Sequence, residues 1–172
     1  MKNISKTALL LLLLPLSLIT AGCGGDGGDI PEPEPDTLSH DARPTDWVRV
    51  GENIDPFVSL SLTIARPDLS RYEAPADSGT WDEDLMATFV GGTCRGVSAP
   101  FQNSTTTAGG IIFMPAVAAL TTDDADAVKT VTIRYYCARL RHIFTAISPY
   151  PLKNDIEAYG TRTSPLELTW NK

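Results

Sequence analysis

Two histidines are the side chains of this sequence whose ordinary pKa suits acid–base chemistry near neutral pH. His40 lies in a polar region near the N-terminus, and His142 opens a stretch rich in β-forming residues. A serine hydrolase would need His142 beside a serine and a carboxylate, and no nucleophile-elbow motif accompanies it. We therefore predict that His142 is a half-exposed strand residue and that the protein is not an enzyme. A small hydrolase stays open as an alternative.

Acidic residues cluster at positions 82–84 and 123–126, where carboxylate oxygens could bind Ca²⁺. Neither cluster follows the EF-hand loop, which alternates its ligands and ends in a bidentate glutamate. Two carboxylates could also hydrolyse a glycosidic bond, but nothing in the sequence places a pair at the required separation. We interpret both clusters as solvated loops and predict no metal and no cofactor.

Aromatic side chains give the clearest indication of a binding surface. Trp81 lies in a predicted loop, and Tyr136 is predicted to face solvent because it alternates with Tyr135. Exposed rings can stack on sugars, since they offer flat apolar area beside polar groups. Trp81 and Tyr136 are therefore candidate ligand-binding residues. Arg95 is a third candidate, although it could instead brace the neighbouring loop through backbone carbonyls.

The first 23 residues have the pattern of a leader that directs export. Lys2 and Lys6 precede an apolar stretch at residues 8–19, and small residues lead up to Cys23. The apolar stretch has 12 residues, whereas a membrane-spanning helix needs about 20. A charged start, a short apolar segment and small residues before a cleavage point are typical of a signal peptide.

The cysteine at the end makes this leader resemble a bacterial lipoprotein signal. The resemblance implies a signal peptide at residues 1–22 and a lipid on Cys23, which becomes the mature N-terminus. Several acyl chains would anchor the protein stably, at about 0.8 kcal/mol for each buried methylene. Gly24 follows the cysteine where Asp would be a retention signal, which implies the outer membrane, with the domain in the periplasm or on the cell surface. An ordinary signal peptide with a chance cysteine is the alternative.

Residues 23–45 are predicted to be a flexible tether. Residues 24–29 are rich in Gly and residues 31–36 alternate Pro with acidic residues, so the segment has almost nothing to bury. Residues 46–172 show no internal repeat and no second linker, and we interpret them as one domain. A domain of this size buries roughly two thirds of its unfolded surface.

Strand patterns dominate this domain. Strands are predicted at residues 57–64, 85–90, 93–95, 111–118, 128–137, 142–147, 156–159 and 166–170. Gly91-Gly92 predicts a two-residue hairpin, and Pro115 favours an edge position or a bulge. Trp170 alternates with Leu166 and Leu168, which predicts a core position. Many short strands with regular turns favour an antiparallel β-sandwich of immunoglobulin-like architecture.

Cys94 and Cys137 are the two cysteines that remain in this domain. An exported protein folds in an oxidising compartment, where two thiols of one domain usually pair. A disulfide across their 43-residue separation would contribute about 4 kcal/mol in the chain-entropy estimate. We predict this disulfide, with two buried thiols as the alternative.

Residues 84–97 carry the motif Ala-x-Phe-Val-x-Gly-x-Cys-Arg-Gly. This motif resembles a module of bacterial lipoproteins and secreted multidomain surface proteins, and residues 131–136 and 160–168 resemble its later strands. The resemblance implies an all-β extracytoplasmic module without an established activity. That module more often has an acidic residue where this chain has Cys137. The difference fits an added disulfide, and equally leaves open whether Cys94 needs a partner.

The charge of the chain bears on its partners. The first 22 residues hold two of the 14 basic and none of the 21 acidic residues, so the remainder has a net charge of −9. Such a chain repels nucleic acid and anionic headgroups, and we predict no nucleic-acid partner. We expect a lipid-anchored, non-enzymatic binding or structural module whose partner is a glycan or another envelope protein. A carbohydrate-binding surface lipoprotein is the first alternative, ahead of the small hydrolase.

Overall fold

The computed structural model describes residues 37–49, 59–104, 110–118, 128–153 and 156–172. Within these ranges the protein is all-β, with one turn of 3₁₀ helix at Trp81–Glu83. The strands are β1 Ser59–Leu62, β2 Ile64–Ala65, β3 Leu85–Val90, β4 Thr93–Ser98, β5 Phe101–Asn103, β6 Gly110–Phe113, β7 Ala116–Ala118, β8 Thr132–Cys137, β9 His142–Ile147 and β10 Ile156–Tyr159. Across these ranges, no helix has the length and apolar character needed to cross a membrane. The signal peptide, Cys23, the tether up to residue 36 and the acidic cluster at 123–126 lie outside the described residues.

One layer is an antiparallel sheet with the strand order β4-β3-β8-β9. It consists of two hairpins, β3–β4 and β8–β9, that meet along β3 and β8. The first hairpin turns at Gly91 and Gly92, whose φ angles are +56° and +82°. Glycine adopts such angles without a steric penalty, and they match the twist of a two-residue hairpin. The predicted hairpin at Gly91-Gly92 is confirmed.

The second layer contains two three-stranded sheets, ordered β10-β1-β7 and β2-β6-β5. Strands β1 and β2 are separated by one residue, and β6 and β7 by Met114 and Pro115, so each pair is one interrupted strand. Pro115 cannot donate a backbone hydrogen bond, although its carbonyl accepts one from Leu62 N at 3.2 Å. The sequence pattern favours an edge position or a bulge at Pro115, and the structure shows instead a break between β6 and β7 at this residue. Strand β10 pairs with β1 in parallel, so the second layer is not wholly antiparallel.

The core lies between these layers and takes side chains from both. Leu60, Leu62 and Ile64 come from the second layer, and Met86 and Ile133 come from the four-stranded sheet; all five are at most 2% exposed. Alternate residues of a strand point to opposite faces, so the apolar side chains on one face of each strand pack into this core. The arrangement is that of an all-β domain and is consistent with a β-sandwich.

The C-terminal segment crosses from one layer to the other. Leu166 bridges to Ile64 on β2, and Asn171 bridges to Thr145 on β9 with two backbone hydrogen bonds of 2.8 and 2.9 Å. The prediction of a strand at residues 166–170 is therefore wrong. The segment cannot follow one strand over its length because its two bridges lie in different layers. It closes the edge of the domain next to β2 and β9.

Part of the segment predicted as tether lies against the domain. Residues 37–49, here called the N-terminal strap, run along β9 and then over the outer face of the four-stranded sheet. Asp41 accepts a hydrogen bond from Ile143 N at 2.8 Å, and Trp47 packs edge-on against Phe89 with ring centroids 6.0 Å apart. The predicted tether boundary at residue 45 is wrong for residues 37–45, because Leu38 and Asp41 find apolar and backbone partners on the domain.

The predicted disulfide is absent, and Cys94 and Cys137 are buried free thiols. They lie on opposite faces of the four-stranded sheet. Cys94 packs in the outer cluster that contains Trp47 and Phe89, whereas Cys137 belongs to the central core. Strand β3 lies between their strands, which puts about 10 Å between β4 and β8. A disulfide needs Cα atoms within about 7 Å and Cβ atoms that face each other. Burial raises the pKa of the Cys94 thiol, which keeps it protonated.

The other edge of the domain closes where β4 passes β7. A Cβ atom added to Gly96 would lie 1.7 Å from the carbonyl oxygen of Ala116, which is a severe overlap with backbone. A β-bulge lies beside this contact: Thr88 pairs with Gly96 and Phe89 with Cys94, so that β4 has one extra residue, Arg95, between the two pairs. Glycine at position 96 therefore permits the close approach of the two layers.

Gly96→Ala should destabilise the protein by about 1–3 kcal/mol or more, because β4 and β7 must move apart. Gly110→Ala is the matched control, since no described residue has an atom within 4 Å of the added Cβ there. Urea unfolding of both variants measures the difference. Equal stabilities would show that the close approach of β4 and β7 is not maintained in solution.

Candidate functional site

A buried carboxylate connects the two layers near the C-terminal segment. Asp84 is fully buried. Its Oδ2 accepts hydrogen bonds from the Tyr135 hydroxyl at 2.6 Å and from Arg66 Nε at 3.0 Å, and its Oδ1 accepts one from Ala138 N at 2.8 Å. We call Arg66, Asp84 and Tyr135 the Asp84 network. It joins the end of β2, the start of β3, and β8 with its following turn.

Burial governs the protonation of this network. Desolvation raises the pKa of Asp84, while the hydrogen bonds from Tyr135 and Ala138 and the charge of Arg66 act in the opposite direction. Desolvation also raises the pKa of Tyr135, and the nearby Cys137 and Asp84 raise it further. The phenol therefore stays protonated and donates a hydrogen bond to Asp84. A carboxylate without these three partners would be costly to bury.

A groove of about 460 Å³ lies above the Asp84 network. We call it the Trp170 groove; Arg66, Arg71, Tyr72, Phe144, Glu167 and Trp170 are among its lining residues. The half-buried Trp170 ring lies 5.7 Å from the Tyr135 ring, centroid to centroid. The groove therefore combines aromatic surface with a guanidinium that a buried carboxylate holds in place.

Two segments without regular secondary structure form the walls of this groove. One wall is the C-terminal segment that crosses between the layers. The other is the loop after β2, and Arg139 fixes it by donating hydrogen bonds to the carbonyls of Leu69 and Tyr72 at 2.6 and 3.1 Å. Within the loop, Ser70 N donates to the Asp68 carboxylate at 3.0 Å, a local turn. The C-terminal segment is thus positioned by backbone hydrogen bonds to β2 and β9, and the loop by the side chain of Arg139.

The three binding residues expected from the sequence do not form one site. Trp81 is exposed on the 3₁₀ turn, as expected of a loop residue. Tyr136 points away from Tyr135, but it is only 5% exposed, because it lies in the buried cluster of the outer sheet face that includes Trp47 of the strap. Arg95 is also buried, and its strand β4 is separated from the strand of Tyr136 by β3. The prediction that Tyr136 faces solvent is wrong.

The acidic cluster at 82–84 serves the fold. Glu83 accepts a hydrogen bond from Thr80 N at 3.1 Å and Asp82 accepts one from the Thr80 hydroxyl, so both stabilise the 3₁₀ turn. Asp84 belongs to the core, and the prediction of a solvated loop is wrong for it. Among the described residues, no group of three or more His, Cys, Asp or Glu side chains could hold a metal ion.

His142 has a serine and an aspartate beside it, both from the N-terminal strap. Ser39 Oγ lies 3.3 Å and Asp41 Oδ2 lies 3.2 Å from the same ring nitrogen, Nδ1, which also lies 2.8 Å from the Ser39 carbonyl. A catalytic triad needs the acid on Nδ1 and the nucleophile on Nε2. Here Nε2 is buried and has no hydrogen-bond partner among the described residues. The arrangement fastens the strap to β9, and the prediction that His142 is half-exposed is wrong.

Sequence reasoning missed Arg66, Asp84 and Tyr72, although one signal was present. Positions 84, 86, 88 and 90 share one face of β3, and Met86 and Val90 identify that face as buried. The alternation therefore places Asp84 in the core. No such alternation identifies Arg66 or Tyr72 as residues of the site, because their partners lie far away in the sequence.

A scan against protein-family models finds no match for this chain, and searches of the curated proteins and of the solved structures find none either. The resemblances to lipoprotein signals and to a surface module therefore stay predictions.

Tyr135→Phe should lower the free energy of unfolding by about 1–3 kcal/mol, since Asp84 Oδ2 loses a buried donor. The variant should also change the pH dependence. A carboxyl whose folded pKa is raised is stabilising while protonated, and that contribution is lost as pH rises above about 4. Losing the phenol raises the pKa of Asp84 further, so stability should fall more steeply with pH than in the wild type.

Urea unfolding between about pH 4 and pH 8 tests this difference. Tyr150→Phe is the control, because its hydroxyl makes no hydrogen bond within the described residues, and its pH dependence should match the wild type. Parallel curves for Tyr135→Phe and the wild type would contradict the role given to the network.

Proposed function

We propose that this chain is a lipoprotein, anchored through Cys23 in the bacterial outer membrane, whose β domain is a non-enzymatic binding module. The observation that carries the proposal is the Trp170 groove. Ligand sites are typically concave and largely apolar, with a few polar groups held in fixed orientations. The groove is concave, with apolar and polar surface in about equal parts, and it combines Phe144 and Trp170 with an Arg66 that the Asp84 network orients.

The anchor is supported by the leader sequence and by the position of the strap. The strap is in contact with the domain from Leu38 onward. Cys23 and residue 37 are 14 positions apart, a length of chain that spans roughly 50 Å at full extension. A lipid on Cys23 would thus hold the domain near the bilayer, through a tether shorter than the sequence alone predicts.

The absence of catalysis is part of the proposal and is supported by the geometry at His142. The only histidine on a strand of the described ranges uses one ring nitrogen for all its polar contacts with the strap. The carboxylates at 82–84 are likewise engaged by the fold. These groups serve structure, which favours a binding role for the domain.

An immunoglobulin-like sandwich is the finer form of the fold that we propose. Its support is the shared core between a four-stranded antiparallel sheet and a second layer of strands. The parallel pairing of β1 with β10 is the point at which this domain departs from a purely antiparallel pattern.

Cys23→Ser should abolish anchoring when the full chain is expressed in a bacterium with an outer membrane. The wild type should enter the detergent phase in a Triton X-114 separation and carry acyl mass at its N-terminus, because several buried acyl chains hold it there. The serine variant should stay in the aqueous phase. Cys94→Ser is the control, since it removes a buried thiol of the domain and should leave partition unchanged. An unacylated wild-type chain would refute the anchor.

Carbohydrate is the ligand class that the groove favours, ahead of an envelope protein. The ring of a half-buried tryptophan can stack on a sugar, and the charged side chains beside it can bind the hydroxyl groups of that sugar. The site differs from the one expected at Trp81 and Tyr136, because Tyr136 is buried.

Intrinsic tryptophan fluorescence should change when a glycan enters this groove. In a titration against a glycan panel, Trp81→Phe should keep the response and Trp170→Phe should lose it, since only Trp170 lines the groove. The reverse result would move the site to the exposed Trp81. No response to any glycan would count against carbohydrate binding and leave an envelope protein as the partner.

A further inference from the structure

Arg66 contacts its buried partners through Nε. Its Nε donates to Asp84 at 3.0 Å and lies 3.2 Å from the Tyr135 hydroxyl. Its two terminal nitrogens make no hydrogen bond within the described residues, and the side chain is 29% exposed where it lines the groove. The terminal nitrogens of a fixed guanidinium form a planar fork that matches the two oxygens of a carboxylate or phosphate.

Further cations surround the same groove. Arg71 lines it, with its guanidinium carbon 4.7 Å from the centre of the Tyr72 ring. Lys172 Nζ lies 5.4 Å from that ring centre, and Arg139 holds the loop beneath. The Asp84 carboxyl that pairs with Arg66 offsets part of this positive charge.

Two carboxylates, on Asp68 and Glu167, also line the groove. Both residues are exposed, as is Arg71, so solvent screens all three of these charges strongly. Arg66 is half-buried, and its field is screened less. The carboxylates can accept hydrogen bonds from ligand hydroxyl groups, while Arg66 dominates the recognition of an anion.

Resting on the proposed binding function, we infer that the Trp170 groove binds an acidic saccharide. The oxyanion of the sugar, a carboxylate or a phosphate, pairs with the free fork of Arg66, and the sugar ring lies against Trp170. Arg71, on the same loop as Arg66, provides a second positive charge. The buried Asp84 and Tyr135 act as positioning residues, because they fix Arg66 Nε before any ligand arrives.

The test pairs ligands that differ only in charge. Oligogalacturonate and a galactose oligomer of the same length and linkage are titrated against the wild type, followed by tryptophan fluorescence and by calorimetry. Galactose 1-phosphate forms a separate arm that distinguishes a phosphate from a carboxylate. The acidic oligomer should bind at least about tenfold more tightly than its neutral counterpart, and added salt should weaken it.

Three variants locate the effect. Arg66→Lys keeps a charge beside Asp84 but removes the fork, and should weaken acidic binding by about tenfold to a hundredfold. Arg71→Gln, at an exposed position, should weaken it without threatening the fold and serves if Arg66→Lys is unstable. Arg49→Gln removes an exposed charge that is not part of the groove and should leave binding unchanged.

Each outcome decides the inference. Tight binding of the acidic oligomer that is lost in the Arg66 or Arg71 variant supports the inference. Binding of galactose 1-phosphate that is lost in the same variants supports it as well. Equal binding of the neutral oligomer overturns it while the binding function stands. No binding of any saccharide overturns both the inference and the carbohydrate function. Unchanged acidic binding in both arginine variants places the site elsewhere and overturns the inference alone.

Discussion

The burial of Asp84 is the constraint on which the rest of the structure depends. Its two oxygens satisfy donors from three places in the chain: Arg66 at the end of β2, Tyr135 on β8 and the backbone of Ala138 after it. A buried carboxylate that lost these partners would cost several kcal/mol. The network therefore fixes the layers relative to each other at one edge of the core, and it also fixes the charged group of the groove above.

The segments outside the sheets complete this domain. The C-terminal segment joins β2 to β9 and brings Trp170 over Tyr135. The N-terminal strap covers the outer face of the four-stranded sheet, where Trp47 packs on Phe89. Each segment buries apolar surface that a bare pair of sheets would leave in water, which is favourable by roughly 25 cal/mol for each Å² of apolar area. The Trp170 groove results from this arrangement, because its walls are the C-terminal segment and the loop after β2.

Local patterns predicted much of the strand content. The strands at 85–90, 142–147 and 156–159 and the turn at Gly91-Gly92 have the predicted bounds, because alternation and glycine chemistry act within a few residues. The short strand β5 was not predicted, since Phe101–Asn103 is too brief to show a period. The final strand was predicted wrongly, because the partners of its two ends lie in different layers. The disulfide failed for a related reason: residue type and compartment say nothing about which face of a sheet each thiol occupies.

The sequence by itself determined the all-β class and the hairpin turn at Gly91-Gly92, both of which depend on backbone preferences and short-range alternation. Only the tertiary structure decided which polar side chains meet. Asp84 and Tyr135 are 51 positions apart, and His142 and Ser39 are 103 apart. No local pattern encodes such pairings, because they arise when the layers and the terminal segments bury their apolar surface together. The candidate site is therefore a property of the folded chain.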